Sequence, residues 1–177
     1  MAFLKTISDQ VTLNFTGRVN ILDKKNNKFL GKVSLLEGAI VYSSYEAKVG
    51  KSTLYDIIIE DLEGENLRFV VEPEIVTLSE AIFELSFDEL KVSAQAIFQQ
   101  YKESRKMLPP PHLRLMIDPD FVARGPSVSF WEFETLTVIS DFNKVSDIFL
   151  ESPLSEYQTS LSLVSLRKKG ALKVLGQ

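Results

Sequence analysis

Apolar and polar positions alternate from Arg18 to Asp23, where Val19 and Ile21 sit among polar neighbours, and again through Phe29, Gly31, Val33 and Leu35. This two-residue period predicts two half-buried strands. Between them, Lys24–Lys28 carries Asn26 and Asn27, which tolerate left-handed turn geometry. Glu37-Gly38 predicts a tight turn with Gly38 at positive φ. The apolar run Ala39–Ser44 then predicts a third strand of an antiparallel meander. Ser43–Gly50 reads as a polar loop. Ser52 or Thr53 opens a helix that runs to Leu62, and Thr53-x-x-Asp56 has the capping-box spacing. Leu54, Ile57, Ile58 and Leu62 form its apolar stripe, widened by Tyr55 and Ile59. Glu63–Asn66 turns the chain, and Leu67, Phe69 and Val71 mark a fourth strand. The expected fold class is α+β, a small antiparallel sheet with packed helices.

The longest helix is expected from Leu78 to Met107, after Pro73. Thr77-x-x-Glu80 has the capping-box spacing, and Val76 with Ala81 the spacing of a hydrophobic staple. Leu78, Ala81, Ile82 and Leu85 share one face, whereas Leu90, Ala94, Ile97, Phe98 and Tyr101 share another. At about 100° per residue the two sets cannot meet one surface. The first set is expected on the sheet, with the second on another partner or the helix kinked near Phe87-Asp88. The second stripe needs cover. Either the C-terminal part of the chain folds back on it, giving a monomer, or a second copy meets it, giving a homodimer through the 78–107 helix.

Pro109-Pro110-Pro111 ends that helix. Residues 108–127 read as a Pro-rich linker with one short strand at Leu113–Ile117. The sequence therefore divides into 1–107, the linker, and 128–177. In the last part, Ser129-x-x-Glu132 opens a helix with Phe130, Phe133, Leu136, Val138 and Ile139. A second helix spans Lys144–Leu150. Ser155-x-x-Gln158 opens a third helix, with Leu161, Val164 and Leu166, which Gly170 closes. Ala171–Leu175 alternates as a strand.

Thr16-Gly17, Glu37-Gly38-Ala39-Ile40-Val41, Gly50, the apolar helix Leu54–Ile58 and Leu67-Arg68-Phe69 before Glu72 occur in an order that resembles the PATAN domain. That family is the N-terminal part of PatA-type bacterial response regulators, and the resemblance covers about the first hundred residues. The helix, helix, turn, helix, strand order after the linker resembles a winged-helix module, which often follows in that family. The resemblance implies a bacterial signalling adaptor in a two-component or polarity and motility pathway. It also implies protein partners such as a receiver-domain protein or a Ras-like polarity GTPase.

Composition narrows the chemistry. The 177 residues carry a formal net charge of −4 and no cysteine. Disulfides and thiolate metal sites are excluded, and bulk nucleic-acid or anionic-membrane binding is not favoured. No apolar run reaches the ~20 residues of a membrane helix, and the first residues lack the apolar core of a signal peptide. A cytoplasmic protein is expected.

Tyr45–Ser52 approaches a phosphate-binding loop, but Tyr45 stands where that motif needs glycine. Ile57–Asp61, which imitates a Walker B strand, falls in a helix. Glu72, Glu74 and Asp88-Glu89 read as solvated carboxylates. The single histidine, His112, has no second histidine or cysteine to share a metal. No nucleophile–base set emerges, so no enzymatic activity and no cofactor are expected. The third C-terminal helix opens Ser155-Glu156-Tyr157-Gln158 without a basic residue, and 128–177 carries five basic against six acidic side chains. Both weigh against DNA.

Candidate partner-binding residues are Tyr42, Ser43, Ser44, Tyr45, Lys48 and Lys51, and on the long helix Leu90, Ile97, Phe98 and Tyr101. Aromatic area beside polar positions suits interface hot spots. Two alternatives are a winged-helix transcription regulator on DNA and a small-molecule sensor with a pocket between the sheet and the helix at Leu54.

Overall fold

A computed structural model describes residues 2–64 and 66–175. The chain is α+β and separates into two compact units, Met1–Phe98 and Gln99–Gln177. Glu65, within the expected turn Glu63–Asn66, lies outside the described residues, as do the last two positions of the expected C-terminal module.

The first unit opens with α1 (Ala2–Thr12), whose Phe3 and Ile7 are fully buried. β1 (Gly17–Asp23), β2 (Phe29–Leu36) and β3 (Ala39–Tyr45) form the expected meander. The turn between β2 and β3 places Glu37 at φ 49° and Gly38 at φ 82°, the left-handed pair that matches the twist of a hairpin. The very short β4 (Lys48–Val49) follows, then α2 (Ser52–Gly64) and β5 (Leu67–Pro73). The sheet order is β4-β3-β2-β1-β5, with all pairs antiparallel. Val19 pairs across to Val33 and Val33 to Ser43, so these three share the face on which α2 packs. Leu54 and Ile57 of α2 are fully buried in the same core.

The long helix is shorter than its pattern suggests. Leu78–Glu80 is a single 3₁₀ turn, and Thr77 makes no side-chain cap. Residues 82–85 run extended along β3: Ile82 N–H donates to Val41 O, and Ile40 and Leu85 exchange both backbone hydrogen bonds. The outer edge of β3 needs partners for its amides and carbonyls, and this segment supplies them. Leu85 is buried, but Leu78 and Ile82 are exposed rather than packed on the sheet.

Helix α3 runs from Phe87 to Met107, and the boundary between the units falls within it. It opens on a reciprocal pair that outweighs the Thr77 signal. The Ser86 N–H and hydroxyl both donate to Glu89 Oε2, and Glu89 N–H returns a bond to Ser86 Oγ. Loss of a serine N-cap typically costs about 1 kcal/mol. Ser86→Ala is therefore expected to lower the melting temperature modestly and to speed amide exchange at Glu89 and Leu90, both measurable on the full chain.

In the second unit the stretch expected as a linker is structured. β6 (Leu115–Ile117) pairs antiparallel with β7 (Leu172–Val174), and α4 (Pro119–Ala123) is capped by Asp118. The prolines confine α4 to one short turn but leave β6 free to pair. α5 (Phe130–Asp141), α6 (Val145–Glu151) and α7 (Glu156–Lys168) follow in the expected order. Phe130 and Phe133 of α5 are exposed, and the buried positions are Glu132, Thr135, Val138 and Ile139. Among the described residues no helix is long and apolar enough to cross a membrane.

Candidate functional site

Strand alternation sorts the candidate residues of β3. Ser43 faces α2, where its hydroxyl lies 2.6 Å from Thr53 Oγ1, and Thr53 in turn donates to Gly50 O. Thr53 is thus a buried residue inside the helix, not its capping box. Tyr45 shares this face. It is 3% exposed, and its hydroxyl donates to Glu60. Burial first, then the hydrogen bond and charge of Glu60, push the Tyr45 phenol well above its ordinary pKa, so it stays a neutral donor. Ser43 and Tyr45 are core residues, which corrects their expected place on an interaction loop.

Tyr42 and Ser44 point the other way. Ser34 pairs with both Arg18 and Tyr42, and Lys32 with both Asn20 and Ser44, which puts this set on the face opposite α2. Arg18, Asn20, Lys32, Tyr42 and Ser44 are all half-buried. The Lys32 ammonium lies 5.2 Å from the centre of the Tyr42 ring, within cation–π range. Arg18 is held by Glu74 at 2.7 Å and Glu80 at 3.4 Å, and Asn20 donates to Glu72 at 2.7 Å. The result is a mostly polar face that carries the Tyr42 ring on β3.

The expected polar loop is a hairpin. Glu46 and Ala47 form its tip at φ 47° and 66°, and Lys48 and Val49 return as β4. Left-handed geometry at residues with a Cβ costs roughly 1–2 kcal/mol each, and such strain collects at functional sites. Gly50 N–H is spent on Ser43 O and Glu46 N–H on Leu30 O, so these amides do not converge on an anion. Lys48 and Lys51 are exposed beside the tip.

The expected stripe of α3 does not form an open patch. Leu90 and Ala94 belong to the core of the first unit. Tyr101 is buried in the second unit, edge-on to Tyr157 at 6.5 Å, with its hydroxyl 3.2 Å from Glu156. Ile97 and Phe98 are half-buried. Leu90, Ala94 and Tyr101 are thus covered within the unit to which each belongs.

The opening turns of α7, where a recognition helix reads bases, bury Tyr157, Gln158, Thr159 and Ser160. The interface at Leu54, the expected sensor pocket, is filled by side chains. A cleft lies instead among α1, α2 and α3, a position that sequence reasoning missed because three separate helices build it. A second polar cluster is centred on Glu132 in α5. Its carboxylate accepts from the Ser129 N–H at 2.6 Å, Ser165 Oγ at 2.7 Å and Lys169 Nζ at 2.7 and 2.8 Å. Comparisons of the sequence with family models and curated proteins, and of the fold with solved structures, give no match.

Proposed function

We propose that this chain is a non-enzymatic bacterial signalling adaptor that binds a protein partner through the open face of its sheet. The observation that carries this reading is the Tyr42 ring beside Lys32, half-buried on a polar sheet face and flanked by Ser44 and Asn20. Aromatic side chains fixed among polar neighbours are the usual energetic centre of an interface. The strained, exposed tip at Glu46-Ala47, with Lys48 and Lys51 beside it, extends the same surface. The PATAN resemblance of the first unit and the winged-helix resemblance of the second point to a two-component or polarity pathway. A receiver-domain protein or a Ras-like GTPase is the corresponding partner class. Burial of the first turns of α7 disfavours the DNA reading.

Tyr42 is accessible enough to separate binding from folding. Combined Tyr42→Ala and Lys32→Glu changes are expected to weaken capture of the native partner at least tenfold, since hot-spot truncations cost about 2 kcal/mol or more. The melting temperature should move little. Equal capture by the variant, or ATP or GTP turnover that is lost on Lys51→Ala, would overturn the reading.

A further inference from the structure

The cleft among α1, α2 and α3 lies in the first unit on the helix side of the sheet, away from Tyr42. It encloses about 320 Å³, within the range of small-ligand sites. Its walls are Leu4, Ile58, Leu62, Phe87, Ala94 and Phe98. Lys5 of α1 and Lys91 of α3 line it together with Ser8 and Gln95, and no acidic side chain does. Both lysines are exposed, and among the described residues neither makes an ion pair. Three helices thus bring apolar walls and two uncompensated cations to one cleft. A protein with net charge −4 has carboxylates in plenty with which to neutralise them, yet this lining carries none.

We propose that this cleft binds an apolar monocarboxylate, a medium-length fatty acid anion. The hydrocarbon chain lies against Leu4, Ile58, Leu62, Phe87 and Phe98, and the carboxylate sits between Lys5 and Lys91. Apolar burial supplies most of the affinity, and each methylene taken from water tightens binding roughly fourfold. The two lysines select the anion over a neutral chain, because an ammonium–carboxylate contact at the edge of an apolar wall is partly shielded from water. The inference does not depend on the adaptor reading, since the two surfaces lie on opposite sides of the sheet.

Titration calorimetry on the full chain with octanoate, decanoate and decanol tests it. Decanoate, with two more methylenes, is expected to bind roughly fifteenfold more tightly than octanoate, and decanol more weakly than decanoate. The Lys5→Glu, Lys91→Glu double variant, whose changes are at exposed positions, should keep its melting temperature and lose at least tenfold in decanoate affinity. Methyl chemical shifts on adding decanoate to the unaltered chain should change at Leu4, Ile58 and Leu62. No binding at millimolar decanoate, equal affinity for decanol, or shift changes confined to other methyl groups would each overturn the proposal.

Discussion

Tyr45→Ala is expected to cost the protein about 3–5 kcal/mol of unfolding free energy, the range for deleting a buried aromatic ring. The ring is 3% exposed and packs in the core formed by the sheet, α1 and α2. Its hydroxyl serves Glu60 from within that core. Truncation leaves a cavity in that core and removes the donor at once. Tyr45→Phe isolates the second term. Glu60 is only partly buried and can turn to water, so the phenylalanine variant should lose about 1 kcal/mol. Urea unfolding followed by circular dichroism measures both. A loss below about 1 kcal/mol for the alanine variant would return Tyr45 to the surface role that its sequence neighbourhood suggests.

The second unit should be most sensitive at Glu132. Burial raises the pKa of this carboxyl, but the hydrogen bonds from Lys169, the Ser129 N–H and Ser165, with the charge of Lys169, outweigh it. The net effect lowers the pKa from 4.5 to about 2. The folded state therefore holds the proton less tightly than the unfolded state. The associated stability is fully present above about pH 4.5 and drains away as the pH falls towards 2. Lys169 is partly exposed, so solvent screening reduces its share. Glu132→Gln removes the charged acceptor from the cap of α5 and from Ser165. It should destabilise by about 2–3 kcal/mol at neutral pH. The gap between the variant and the unaltered chain should narrow steadily below pH 4.5. A gap that stays constant from pH 7 to pH 3 would show that the carboxylate charge does not contribute.

Ser129-x-x-Glu132 was legible as a cap because the reciprocal bonds join residues three apart, and the structure forms both of them. At the start of α7 one of the two forms, Gln158 Oε1 accepting from the Ser155 N–H. Val19, Ile21, Val33 and Leu35 alternate in the sequence and are fully buried in the sheet. The period of two is a property of the extended backbone itself. Glu37-Gly38 declared its turn for a similarly local reason.

Other outcomes turned on atoms distant along the chain. Leu78–Ser86 has helical spacing, but the unpaired edge of β3 about forty residues earlier draws 82–85 into extended pairing. Tyr42 and Tyr45 look alike in a polar stretch. Three apart on one strand, they face opposite sides of the sheet, and the packing of α2 decides which of the two sides is the core. Residues 108–127 looked like a spacer with one short strand at Leu113–Ile117; β6 forms within that strand, and its partner β7 comes more than fifty residues later. The cleft with Lys5 and Lys91 needs α1 beside α3, two helices that share no sequence signal. Capping, alternation and turn chemistry act over three or four residues and can be read directly from the chain. Edge pairing, burial and the assembly of a cleft depend on which distant segments meet, and the need to satisfy backbone groups and bury apolar area decides that only once the chain has folded.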